Sequence, residues 1–212
     1  QKLKALHAGK DKAGQFMNKL SQMLFAYASN RVPEIADELY KVDDALRAGF
    51  GWEMGPYEIW DVLGVSKVVS AMKEAGQAPA KWVEEMLEAG KETFYKVENG
   101  VKHYYDLESK SYKAIPGQDA FIVLDNLRGM KPVWKNSGAT LHDLGDGVLN
   151  LEFHTKMNAL GGEVLEGINK AIDIAEQDGW KGIVLGNDGT NFSAGANLAM
   201  IFMFAIEQEY DE

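Results

Sequence analysis

The chain is 212 residues long, enough for one large domain or two modest ones, each with its own core. Hydrophobic residues at 46% and charged residues at 25% exclude a disordered chain, and a net charge of −10 argues against nucleic acid or an anionic membrane surface as the main partner. The absence of cysteine removes disulfides, thiolate metal sites and thiol catalysis together.

No apolar run approaches the roughly 18 residues of a membrane span, and the Lys-rich start, Gln1 to Lys12, lacks the apolar centre of a signal peptide. A cytoplasmic location is the expectation. The chain begins with Gln and stops at Glu209-Tyr210-Asp211-Glu212 part-way along an apparent helix, which predicts a piece of a longer polypeptide.

In chain order, residues 13 to 48 predict two helices. Phe16, Leu20, Met23, Leu24 and Tyr27 form the apolar stripe of the first; Pro33 opens the second, with Ile35, Leu39, Val42 and Leu46 on its face. Gly49, Gly51 and Gly55-Pro56 break the chain, and shorter helices follow near 56–63, 66–75 and 80–89, each ending near a glycine. Phe94 to Val97, the Asn99-Gly100 turn and Val101 to Tyr105 read as a hairpin, extended to a meander by Ser111 to Ile115. A helix or loop over 118 to about 130 leads to the next unit.

That unit alternates. After Gly145-Asp146-Gly147, Leu149, Leu151 and Phe153 point one way and Asn150 and Glu152 the other. A helix over about 162–178 carries Val164, Leu165, Ile168, Ala171, Ile172 and Ala175, and Ile183-Val184-Leu185 reads as a strand buried on both faces. Strand, helix, strand predicts a βαβ crossover. The expected fold class is therefore α+β and multidomain: a helical domain with a small β-meander over 1–117, a linker over 118–131, and the opening part of an α/β domain over 132–212.

The most informative stretch runs from Ile183 to Leu198, where a strand enters the glycine-rich turn Asn191-Phe192-Ser193-Ala194-Gly195-Ala196-Asn197 ahead of a new helix. Backbone N–H groups at a helix start lack intrahelical partners and can bind negative charge developing on a carbonyl oxygen. This is half of an oxyanion hole.

Two family resemblances rest on these residues. Residues about 132–206 resemble the N-terminal half of the crotonase (enoyl-CoA hydratase/isomerase) family, through Val148-Leu149-Asn150-Leu151, then Met157-Asn158-Ala159-Leu160, then Phe192 to Leu198. Residues about 10–115 resemble the C-terminal helical domain of 3-hydroxyacyl-CoA dehydrogenases, through Gly14-Gln15-Phe16-Met17-Asn18-Lys19-Leu20 and the run from Asp43 to Glu58. Their order resembles a fused multifunctional enzyme of fatty-acid β-oxidation.

The resemblance implies that the backbone N–H of Ala196 is a catalytic donor to an acyl thioester oxygen, and that Ala194, Gly195 and Asn197 lie along coenzyme A. Lys156, Asn158, Ala159 and Leu160 would line the nucleotide end, and Asn18 occupies a substrate-site position of the dehydrogenases. Asn197 stands where the crotonases usually have Asp. The second oxyanion donor and the catalytic glutamates would lie beyond residue 212; Glu207 and Glu209 match neither. NAD would be bound by residues before Gln1, since no glycine fingerprint follows a strand here. The implied partners are an acyl-CoA substrate and the rest of the same polypeptide, with no nucleic acid, no membrane span and no metal.

Other residues read more plainly. His7, His103, His142 and His154 lack metal spacing, and Ser193 lacks the glycines of a nucleophile elbow. Asp43-Asp44 and Glu84-Glu85 are expected on solvated helix faces. Trp52, Tyr57 and Trp60 belong to a helical core, or else to an aromatic wall for a cofactor. The expected function is NAD-dependent 3-hydroxyacyl-CoA dehydrogenation plus enoyl-CoA hydration by the parent enzyme. The alternative is a non-catalytic module that dimerises through the helical domain, with the crotonase half inert.

Overall fold

In the computed structural model, which describes residues 2–118 and 121–208, six helices lead into a three-stranded meander. The helices are α1 (Lys2–Ala8), α2 (Lys12–Arg31), α3 (Leu39–Phe50), α4 (Pro56–Leu63), α5 (Val65–Glu74) and α6 (Lys81–Glu88). The antiparallel strands β1 (Tyr95–Glu98), β2 (Val101–Asp106) and β3 (Ser111–Ala114) follow in the order β1-β2-β3. The chain divides into two compact units, Gln1–Asp119 and Ala120–Glu212.

Local chemistry explains the helix ends of the first unit. Asp11 caps α2 by accepting the Gly14 N–H at 2.9 Å, and Pro56 opens α4, where Glu58 reaches back to accept the Gly55 N–H at 3.1 Å. The core gathers Phe25, Leu39, Tyr57, Trp60, Met72, Met86 and Phe94. Phe25 stacks on Trp60 with ring centroids 4.8 Å apart, so Tyr57 and Trp60 are core residues, whereas Trp52 is partly exposed.

Two expectations about α2 and α3 change. The second helix begins at Leu39 rather than Pro33, because the Ile35 N–H closes onto Arg31 O at 2.8 Å and residues 32–38 form a turn ending α2. Only part of the predicted apolar stripe of α2 is covered: Leu24 packs against the core, whereas Phe16 and Tyr27 are 64% and 67% exposed and Leu20 and Met23 lie beside them. Gly14, Ser21, Phe25, Ala28 and Ser29 pack inward instead. At Gly14 a Cβ would overlap the carbonyl of Gly9. Gly14→Ala is therefore expected to push α1 off α2 and lower the urea stability of this unit by about 1–3 kcal/mol.

Asp43 is not on a solvated face; it is fully buried. Its Oδ1 accepts the Tyr57 N–H at 2.9 Å, and its Oδ2 accepts the Glu58 N–H at 3.2 Å and the Tyr95 hydroxyl at 2.8 Å. One carboxylate on α3 thus caps α4 and ties down β1. Asp61 does the same for the entry to β1, accepting the N–H groups of Phe94 and Tyr95 at 2.8 and 2.9 Å.

Burial outweighs these hydrogen bonds and pushes the carboxyls of Asp43 and Asp61 up to about 6 and about 7, from an ordinary value of 3.8. A group whose folded value is raised holds its proton longer in the native state. Native protein therefore binds more protons between about pH 4 and 7, and this contribution falls as pH rises through that window. Asp61→Asn is expected to flatten the pH dependence of urea stability between pH 5 and 8; an unchanged slope would remove Asp61 as its source.

The second unit holds α7 (Leu124–Leu127), β4 (Trp134–Lys135), β5 (Ala139–Asp143), β6 (Val148–Phe153), a 3₁₀ turn over Lys156–Asn158, α8 (Gly162–Gln177), β7 (Gly182–Leu185) and α9 (Leu198–Glu207). The sheet order is β4-β5-β6-β7; the first pairs are antiparallel, and β6 and β7 are parallel with Leu149 opposite Ile183. Ala139, Leu141, Leu149 and Leu151 pack against Ala171 of α8.

Here too the sequence reading needs correction. Strands β4 and β5 were not expected, because Ala139–Asp143 carries only a short apolar alternation. Asn150 and Glu152 do alternate with the leucines, yet both are buried: Glu152 accepts from Arg128 at 2.5 Å and pairs with His142 at 3.0 Å. The strand over 183–185 is not buried on both faces. It is the edge of the sheet, with Val184 and Leu185 exposed. Leu165 and Ile172 of α8 are exposed as well, as are Leu198, Phe202 and Ile206 of α9. No helix among the described residues is long and apolar enough to cross a membrane.

Candidate functional site

The segment after β6 and the segment after β7 meet as a short parallel bridge between Leu160 and Ala196. The Leu160 N–H donates to Gly195 O at 2.9 Å, and the Asn197 N–H donates to Leu160 O at 2.9 Å. In such a bridge the central residue turns its own N–H and C=O to the opposite side. Ala196 is that residue.

Its neighbours are satisfied in turn. The Ala194 N–H donates to Met157 O at 3.1 Å and the Gly195 N–H to Ser193 Oγ at 2.9 Å. Of the four amides over 194–197, only that of Ala196 has no acceptor among the described residues. Gly195 takes a φ of +89°, a left-handed conformation that glycine adopts without strain, and it sets the chain into the bridge. Asn197 is the N-cap of α9; its Oδ1 accepts the N–H groups of Ala199 and Met200 at 3.2 and 3.4 Å. The helix-start amides expected to face a ligand are thus partly taken by Asn197 itself.

The other candidate residues separate by position. Lys156 is exposed in the 3₁₀ turn, Ala159 follows it, and Leu160 is in the bridge. Asn158 is only 8% exposed and is held by the turn it faces: its Nδ2 donates to Asn187 Oδ1 at 2.9 Å and to Asn191 O at 3.0 Å. Asn18 lies in the other unit, where its Nδ2 donates to His7 O and Gly14 O, both at 2.8 Å, joining α1 to α2.

Reasoning from sequence missed the asparagines that shape the turn. Asn187 accepts from Asn158 and from the Gly189 N–H, and donates to Phe192 O at 2.7 Å. Asn150 reaches from β6 to Val184 O and Gly186 O, both at 3.2 Å. The density of Asn in 150–197 was the available signal. Ser193, read as structural, donates to Asn158 O at 2.7 Å. Among the described residues no group of three or more His, Cys, Asp or Glu could hold a metal ion.

Residues 14–104, from α2 to near the end of β2, match the family model of the 3-hydroxyacyl-CoA dehydrogenase C-terminal domain. A probable 3-hydroxyacyl-CoA dehydrogenase of Bacillus subtilis is 42% identical over 203 residues, covering 95% of this chain and 25% of that protein. Proteins provisionally named fatty acid oxidation complex trifunctional enzyme from Rickettsia felis and Rickettsia prowazekii are 25% and 27% identical, each over 90% of this chain and 23% of their own length. The chain thus spans about a quarter of the length of these relatives, and no solved structure matches it.

Proposed function

We propose that these residues work within a longer fused enzyme of fatty-acid oxidation, which oxidises 3-hydroxyacyl-CoA with NAD and hydrates enoyl-CoA. The dehydrogenase part is supported by the family match over 14–104 and the relatives' names. The second unit is read as a partial crotonase-like domain that binds an acyl thioester. The observation that carries this reading is the one amide of the 194–197 turn without an acceptor among the described residues, that of Ala196.

In that role the Ala196 N–H donates to the thioester oxygen and polarises the conjugated carbonyl, which makes the β-carbon electrophilic toward water. Gly195, lacking a Cβ, lets the thioester approach the backbone. Carboxylates outside this chain would handle the protons. Neither strand-to-helix turn of the second unit, 154–161 after β6 or 186–197 after β7, carries the Gly-x-Gly-x-x-Gly spacing that cradles the pyrophosphate of NAD. No step of the oxidation is therefore assigned to these residues, and Asn18 acts as a tether between helices.

Calorimetric titration of the chain with crotonyl-CoA tests the reading. Saturable binding that is weakened in Ala196→Pro is expected; no heat at millimolar ligand would reject it.

A second reading is favoured by the exposed stripe of Phe16, Leu20, Met23 and Tyr27 on α2. The helical unit would use it to form a homodimer. Sedimentation is expected to show a dimer that Leu20→Glu with Met23→Glu converts to monomer; a monomer at high concentration of the unaltered chain would overturn it.

A further inference from the structure

Resting on the thioester reading, we infer that Asn158 is a positioning residue that orients the Ala196 amide through the turn it anchors, and does not touch the ligand. Its backbone sets this up. Met157 and Asn158 take φ values of +59° and +52° in succession, a left-handed pair in which Asn is well tolerated. The chain thereby doubles back and lays the Asn158 amide under residues 187–193.

Both hydrogens of that amide are spent on the turn, one on Asn187 Oδ1 at 2.9 Å and one on Asn191 O at 3.0 Å. The approach is close enough that a Cβ on Gly189 would overlap Nδ2. The backbone carbonyl of Asn158 accepts the Ser193 hydroxyl at 2.7 Å, and Ser193 Oγ accepts the Gly195 N–H at 2.9 Å.

A chain of two hydrogen bonds therefore runs from the Asn158 carbonyl through Ser193 to the amide preceding that of Ala196, while the Asn158 side chain fixes the turn at Asn187 and Asn191. The peptide plane carrying the Ala196 N–H also carries the Gly195 carbonyl, which accepts the Leu160 N–H; with the Gly195 amide held in turn by Ser193, that plane has one orientation. Loosening the turn at Asn158 weakens the Ser193 restraint and lets that plane tilt about its link to Leu160, and a hydrogen bond weakens steeply once the donor angle departs from linear. Burial and a full set of internal partners leave Asn158 no donor for coenzyme A.

Infrared spectroscopy of crotonyl-CoA carrying a ¹³C carbonyl, bound to the full chain, separates positioning from mere support of the fold. The unaltered chain is expected to lower the carbonyl stretching frequency of bound ligand relative to free ligand, and Ala196→Pro to abolish the shift. Asn158→Ala is expected to lose most of the shift even at saturating ligand. Asn187→Ala, which removes one acceptor of Asn158 together with the half-buried side chain's own bonds to Gly189 and Phe192 and leaves Asn158 in place, is expected to lose part of it and carries the test if Asn158→Ala does not fold. A full shift in both folded variants, or in Asn187→Ala alone where Asn158→Ala fails to fold, overturns the positioning role and leaves the thioester reading standing. No shift in the unaltered chain overturns the thioester reading and this inference with it.

Discussion

Replacing Asp43 with alanine is expected to lower the stability of the helical unit by about 3–5 kcal/mol at pH 8, where its carboxylate is ionised. The carboxylate receives the Tyr57 and Glu58 N–H groups and the Tyr95 hydroxyl. Truncation leaves two helix-start amides without their acceptor and empties a site with no exposure to water. Urea unfolding followed by tryptophan fluorescence should shift through Trp60 and Trp82, which belong to the same core. Asp43→Asn retains the volume and one acceptor oxygen, so a smaller loss is expected. A loss below about 1 kcal/mol for alanine would show that water replaces the carboxylate without cost.

The same site is closed from the other side by Gly55, where a Cβ would overlap Asp43. The glycine before Pro56 is there because the carboxylate sits against its α-carbon, and its φ of −78° makes no demand for glycine.

Ala196→Pro is expected to lower kcat for crotonyl-CoA hydration in the whole enzyme by about 10²–10³, the usual effect of removing one oxyanion donor. Proline deletes the N–H. The flanking links of the bridge run through Leu160 N–H, Gly195 O, Asn197 N–H and Leu160 O, none of which it removes. Circular dichroism should therefore remain unchanged. Undiminished hydration with intact folding would remove Ala196 from the reaction.

Much of this arrangement was legible from pattern. Gly51, Gly76 and Gly90 mark helix ends with positive φ values, and Asn99-Gly100 makes the hairpin turn between β1 and β2. The order of strand, helix and strand over 148–185 was equally plain, because periods of 2 and 3.6 residues differ sharply. The glycine-rich turn between a strand and a helix was legible too, but Ala196 within it was singled out only through the family resemblance of Phe192 to Leu198.

Other features were not legible. Asp43 beside Asp44 reads as two solvated acids, and only the fold shows that one turns inward to cap a helix that begins 13 residues later at Pro56. Phe16, Leu20, Met23 and Tyr27 read as a core stripe, yet Phe25 and Ala28 are the residues inside. Periodicity reports that a helix has an apolar face but not which partner covers it.

The amino-acid sequence by itself determined the helices, the meander and the glycine-rich turn, since each follows from interactions between residues close along the chain, whereas the parallel pairing of β6 with β7 joins distant residues. Tertiary structure alone decided which amide of that turn stays free. The acceptors that claim the other three are Met157, Ser193 and Leu160, and two of them arrive from a segment more than 30 residues away. Hydrogen-bond satisfaction is settled by distance in space, and local sequence carries no record of it.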